Sequence, residues 1–470
     1  MRNRIALAAM LAACTQTNAA DTRFDDFTPL AATAASLPVG DAGEAAPFVL
    51  SSPNFTQVSI ADRATQLARG QGNSGTWDMQ TVNETGADAG RYLFTPFETL
   101  TAGVQRIDLW NPDYNTRTVT IVAPGTQFFV AGDASRWTPW GSYLTAEEAW
   151  SDPGAVTLPF GRLFEITNPT AAPGSINFVR RPIGPADIRV AHEGLVFDRD
   201  KNFYFIDERN DSHIFRFTSA NPNATNGADF FAAGTTSVLR VGDGTAKEAT
   251  GAYTWIALTD AGGAALPGTV VKTDFSGLTV LDGRATPNVA AFLGTGFDRP
   301  EDIEIKTLPD GRQLLFMATT TNHKVFALDL ANNEIRLFAG RDTPDMATGA
   351  AIGNAFTNPD NLAIDAEGNI YIVEDQGGGI ANIWFARDAD NDGVAEALGV
   401  WATLKTDGAE PSGLYFDPLN PNVAYVNVQH PSSGTDRTVM IAAVPEPGTY
   451  ALMLAGLGMV GWTIRRRRAG

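Results

Sequence analysis

His192-Glu193-Gly194-Leu195-Val196-Phe197-Asp198, Pro300-Glu301-Asp302-Ile303-Glu304-Ile305-Lys306, Pro359-Asp360-Asn361-Leu362-Ala363-Ile364-Asp365 and Pro411-Ser412-Gly413-Leu414-Tyr415-Phe416-Asp417 share one register. Each opens on small or polar residues and runs into a short apolar segment. The first three lead to a polar turn, at Asp200-Lys201-Asn202, Asp310-Gly311 and Glu367-Gly368-Asn369. All four then reach a second apolar segment, at 203–206, 314–317, 370–373 and 423–426. The first three continue to a third, at 214–217, 325–328 and 383–385. Short apolar runs bounded by turn residues read as strands. One strand–turn–strand unit repeated along a chain is the mark of a propeller blade.

The expectation is therefore an all-β protein with a six-bladed β-propeller over 45–443. The interval 194–300 leaves room for an extra blade and an insertion. The segment 91–131 supplies another blade, with strands at 105–109 and 118–122. A pair of β-sandwiches is the alternative, but it leaves the common register unexplained. No amphipathic helical period stands out between 45 and 443. With 44% apolar residues, the chain affords a large core, and 46 glycines and 27 prolines suit many turns.

The net charge is −19, and Arg2, Arg4 and Arg465 to Arg468 all lie in the two ends. The body is thus more acidic still. Such a surface repels nucleic acid and attracts cations. In a propeller the innermost strands line the central channel, so residues at one register position converge. Here these are Glu193, Glu301 and Asp360, with Glu410 two residues before the matching position. Facing carboxylates repel one another at low dielectric, and cations relieve that repulsion. Oxygen-only ligation suits Ca²⁺ or Mg²⁺, and also iron or manganese. The alternative is that each acid bonds a neighbouring backbone amide. A second acidic site is Asp388-Ala389-Asp390-Asn391-Asp392-Gly393, which matches the first half of a calcium loop. Position 12 of that loop would be Gly399, with Glu396 as a possible substitute ligand.

The ends carry transport signals. Residues 1–20 read as a secretory signal peptide, with cleavage after Ala19 or Ala20. Leu11-Ala12-Ala13-Cys14 offers a competing reading as a lipoprotein signal, with an outer-membrane anchor at Cys14, the single cysteine. At the other end, Pro445-Glu446-Pro447 precedes an apolar stretch at 450–464 and four arginines. Fifteen helical residues span about 22 Å, short of the ~30 Å membrane core. In its three parts, 444–470 resembles the PEP-CTERM sorting domain. That resemblance implies a transient membrane contact through a short helix, processing by an exosortase, and delivery to the cell surface or extracellular matrix.

The body resembles the PhoX family of secreted alkaline phosphatases. The matching motifs are Trp137-Thr-Pro-Trp-Gly-Ser-Tyr-Leu-Thr-Ala-Glu-Glu148, His192-Glu193-Gly194, Phe203-Tyr-Phe-Ile-Asp-Glu208, Arg299-Pro-Glu-Asp302, Pro359-Asp-Asn-Leu362 and Asn427-Val-Gln-His-Pro431. The resemblance implies a six-bladed propeller that hydrolyses phosphomonoesters with iron and calcium in its channel. It makes Glu193 and Glu301 metal ligands and Arg299 the phosphate-binding arginine. It adds Glu147, Glu148, Asp360, Asn361 and Glu374 as channel residues and Glu98 as an early metal-binding glutamate. Lys324 or His323 would supply a cation or proton. Ala146 stands where the family has an iron-ligating cysteine, which shifts the expected metal from Fe³⁺ toward Ca²⁺. Arg2 and Arg4 are split by Asn3, so no twin-arginine pair is present and metal would be acquired after export. The function expected is an extracellular phosphomonoesterase acting on small phosphate esters. The alternatives are a lactonase-like propeller and a catalytically weak surface or matrix binding protein.

Overall fold

The computed structural model describes residues 23–31, 44, 46–150, 159–375 and 380–444. The signal peptide and the 450–464 helix lie outside these residues. Among the described residues no helix is long and apolar enough to cross a membrane.

Six antiparallel blades form the body. From inner to outer strand, blade 1 runs Thr81–Val82, Tyr92–Pro96, Val104–Asp108, Thr118–Val122. Blade 2 runs Gly132–Trp137, Tyr143–Glu147, Leu163–Ile166, Phe178–Arg181, and blade 3 Leu195–Phe197, Phe203–Ile206, Ile214–Ser219, Gly234–Val241. Blade 4 runs Pro300–Thr307, Gln313–Thr319, Lys324–Asp329, Glu334–Ala339. Blade 5 runs Pro359–Ile364, Ile370–Glu374, Ala381–Arg387, Ala397–Leu404, with Phe48–Leu50 on its outer edge. Blade 6 takes Glu410–Phe416, Val423–Gln429 and Arg437–Ala443 from the end of the body. Its fourth strand, Phe55–Asp62, comes from the beginning. This pairing closes the ring by joining the two ends of the body in one blade.

The blade count agrees with the sequence reading, but one assignment does not. The interval 194–300 holds a single blade and an insertion, not an extra blade. The blade that the sequence reading missed is blade 2, at 132–181, whose inner strand carries Asp133 and Arg136 in place of an apolar run. In the insertion, Gly251–Ala257 joins the outer strands of blades 3 and 4 into one sheet. Two further strands follow: Thr279–Asp282 pairs in parallel with Ile188–Arg189 on one side and antiparallel with Val271–Thr273 on the other.

An apolar layer fills the space between neighbouring blades. Trp384 with Phe316 and Phe338 packs blades 4 and 5, and Trp401 with Tyr371 and Phe416 packs blades 5 and 6. Each such fully buried side chain contributes about 1.5–3 kcal/mol. The far acid of the repeated motif is structural. Asp198 accepts from the backbone N–H of Asn202 (2.8 Å) and from Tyr204 Oη. Asp365 does the same with Asn369 and Tyr371, so one end of the register fastens the hairpin turn.

Candidate metal centre

The near end of the register builds the channel. In blades 2, 4 and 5 the inner strand loses register directly after Gly132, Pro300 and Pro359, regaining it at Ser135, Ile303 and Leu362. Such bulges re-aim side chains. The first bulged residues, Asp133, Glu301 and Asp360, join Glu193 of blade 3 and Asp78 of blade 1 around the axis. Oxygens of Glu193, Glu301 and Asp360 all lie within 4.8 Å of one another. The residue after each acid ties the blades together. Asp302 accepts from Leu362 N (2.9 Å), and Asn361 Oδ1 accepts from Gly413 N (2.6 Å). Asn361 Nδ2 also donates to Glu193 (3.3 Å).

A second ring comes from the ends of the second strands: Glu98, Glu148, Glu208, Thr320, Asp375 and His430. Thr320 donates to Glu301 Oε1. Gln429 bridges Asp78 (2.9 Å) and Glu98 (2.8 Å). Burial and mutual repulsion hold Asp133, Glu148, Glu193 and Asp360 protonated well above the usual carboxylate range. Burial raises Glu301 to about 7, and burial with the Asp78 charge raises Glu98 to about 8. Glu193 Oε2 and Asp133 Oδ1 are buried without a hydrogen-bond partner among the described residues. Orphaned, hard, mutually repelling oxygens are the donor set a divalent cation such as Ca²⁺ requires. Ala146, by contrast, is buried in the apolar layer with Leu144, Leu163 and Val190.

Two cations stand within this acidic field. Arg299 Nε donates to Glu208 Oε1 (2.6 Å) and stands 3.1 Å from Glu301 Oε1. Its two terminal nitrogens make no hydrogen bond among the described residues. Its backbone sits at φ +53, held by Arg299 N to Arg209 O and Thr320 N to Arg299 O. A non-glycine residue is uncommon in that region and stays there where its surroundings enforce it. His430 Nε2 lies 2.8 Å from Glu410 Oε1, a contact that pushes the imidazole up to about 9. Arg136, on the inner strand of blade 2, pairs with Glu304 and donates to Leu195 O (2.5 Å).

Several residues named from sequence are employed elsewhere. Glu147 does not face the channel cluster; it is fully buried against Arg162 (Nε 2.9 Å, Nη2 2.5 Å). Glu374 accepts from Asn382 N, Trp384 Nε1 and Thr357 N, so it braces blade 5. Lys324 pairs with Glu248 (2.6 Å) in the insertion. His323 Nδ1 accepts from Asn358 N. Asp388, Asp390 and Asp392 do converge within 4.8 Å at the surface of blade 5, with Lys306 3.7 Å from Asp388. Glu396 is occupied by Ala389 N. Asp78, Asp133, Asp375 and the role of Glu208 escaped the sequence reading. The signal was present in Ile206-Asp207-Glu208 and Val373-Glu374-Asp375, where an apolar strand ends in two polar residues.

The fold and site together make this a closed β-propeller with a carboxylate-ringed channel and one arginine set among the acids. The chain belongs to the PhoX family, matching the description "Alkaline phosphatase PhoX" over residues 133–432. It also carries the PEP-CTERM protein-sorting motif over residues 443–468, which marks an exported, surface-directed protein. No curated protein matches the chain. Similar solved structures include a protein of unknown function from Bacteroides thetaiotaomicron, with 12% identity over 82% of this chain and 76% of that one, TM-score 0.42. A putative phosphatase from the same organism shows 13% identity over 78% and 71%, TM-score 0.42. A putative gluconolactonase shows 13% identity over 84% and 93%, TM-score 0.39.

Proposed function

We infer that this protein is an extracellular, calcium-dependent phosphomonoesterase that releases phosphate from organic esters. The observation that carries the reading is the convergence of Glu193, Glu301 and Asp360 within 4.8 Å, with Arg299 on Glu301. Those three carboxylates would hold the ion, which when bound neutralises them and polarises a phosphoryl oxygen. Arg299 offers its two free nitrogens to two phosphate oxygens, a bidentate contact that a lysine cannot make. Glu208 and Glu301 keep the guanidinium pointed at that position. The His430 imidazolium adds a second positive charge at the rim. The donor set is all oxygen and Ala146 belongs to the apolar layer, which favours Ca²⁺ over iron. Asp388, Asp390 and Asp392 would hold a second, peripheral Ca²⁺. The sorting motif supports exosortase processing near Pro445-Glu446-Pro447 and final placement on the surface or in the matrix.

Purified protein should hydrolyse p-nitrophenyl phosphate when given Ca²⁺, with and without iron, and elemental analysis should find calcium. Activity no higher than that of Glu301→Ala in every metal would overturn the reading. Lactone hydrolysis in its place would point to a lactonase-like propeller.

A further inference from the structure

One cleft of about 600 Å³ opens beside the rings of carboxylates, between blades 1, 2 and 3 and the insertion. Its floor includes Glu148 and Glu208, so it is continuous with the channel through the Glu208–Arg299 contact. Its walls are aromatic: Phe128, Phe129, Trp150 and Phe160. Pockets of this size with apolar walls and a few polar groups are the usual form of small-molecule sites.

The lip of this cleft is held in a strained state. Gln127, Phe128 and Ala131 have φ of +57, +56 and +39, and the Phe128 side chain is 75% exposed. An exposed aromatic ring on strained backbone costs stability and persists where the surroundings enforce it. The enforcing group is Arg162, which donates to Gln127 O (3.1 Å) and Phe128 O (2.6 Å) while paired with buried Glu147. The arginine that lines the cleft, Arg284, is engaged by Asp207, and Lys272, which lies over the Trp150 ring, is paired with Asp282. With these cations paired and two glutamates in its lining, the cleft has no welcome for a second anionic group.

We propose that this cleft receives the organic part of the substrate, and that the enzyme selects phosphate monoesters of uncharged aromatic alcohols over those of small polyols. Phe128 and Trp150 determine the specificity, and the Glu147–Arg162 pair positions Phe128. This rests on the phosphomonoesterase reading, because the phosphate is placed on Arg299.

The test measures binding of phenylphosphonate and methylphosphonate to the Ca²⁺-loaded protein by calorimetry, beside hydrolysis of phenyl phosphate and glycerol phosphate. Phenylphosphonate should bind about tenfold more tightly. Leu100 also lines the cleft and, like Phe128, is exposed, so Phe128→Ser and Leu100→Ser should each shrink that preference. Equal affinity for the two phosphonates would overturn the cleft assignment and leave the phosphatase reading standing. A phenyl preference without hydrolysis of any ester would sustain the cleft and sink the phosphatase reading. Failure to bind either phosphonate would overturn both.

Discussion

Arg299 Nε stands 3.1 Å from Glu301 Oε1, which brings a cation against the inner ring of carboxylates. The contact uses Nε alone, so the outer fork of the guanidinium is available for phosphate. Arg299→Lys keeps the charge but loses the fork. It should lower kcat/KM for p-nitrophenyl phosphate by roughly 10²-fold. Calorimetric Ca²⁺ affinity should change little by comparison. Equal losses in both measurements would mean that Arg299 organises the metal ligands rather than the substrate.

Asp133 Oδ1 is buried, unpartnered among the described residues and surrounded by acids. Asp133→Asn keeps the shape and makes permanent the neutral state that burial and neighbouring acids otherwise impose by raising the carboxyl's pKa. In the presence of chelator the variant should melt higher than the parent by about 4 °C or more. Its response to added Ca²⁺ should be weaker. Calorimetric scans of both proteins, with and without Ca²⁺, check this.

The metal-free protein should be less stable at alkaline pH. Burial raises Glu301 and Glu410 to about 7 and Glu98 to about 8. The unfolded chain holds ordinary glutamates near 4.3. Between those values the folded state binds more protons than the unfolded state, so stability falls as pH rises toward 8. Melting with chelator across pH 5–9 should show that decline. Calcium should raise the melting temperature more at pH 8 than at pH 5.5. A flat profile would show that the acids are better solvated than their burial implies.

Arg162→Met should destabilise the fold by about 3–5 kcal/mol, because it strands the buried Glu147 carboxylate. Glu147→Gln should cost less and leave the calcium stoichiometry unchanged. Urea denaturation and elemental analysis separate this from a metal-ligand role for Glu147, whose loss would lower the stoichiometry.

Gly194 follows Glu193 where blades 3 and 4 meet. A Cβ there would lie 2.4 Å from Ile303 N. Gly194→Ala should therefore cost about 1–3 kcal/mol in urea denaturation and weaken Ca²⁺ binding through Glu193.

Much of the site was legible because propeller symmetry turns register into position. Glu193, Glu301 and Asp360 are far apart in the chain but share one place in the repeat, so convergence followed from counting. Glu147 and Glu148 show where counting stops. They are adjacent, and the strand pleat sends one to Arg162 and the other to the channel. Glu374 and Asp375 divide in the same way. Lys324 was a plausible cation until the insertion brought Glu248 to it.

From sequence alone, then, came the all-β class, the blade register, the converging acids and the sorting tail. These are local patterns with period-two and repeat-length signals, and local patterns survive in one dimension. Only the tertiary structure decided that 132–181 is a blade and that Phe55–Asp62 closes the ring. It alone also placed Glu147 against Arg162, whose guanidinium donates to the backbone of Gln127 and Phe128. Those outcomes depend on partners distant in the chain, whose pairing is set by packing between blades and by which buried charge finds a counter-charge.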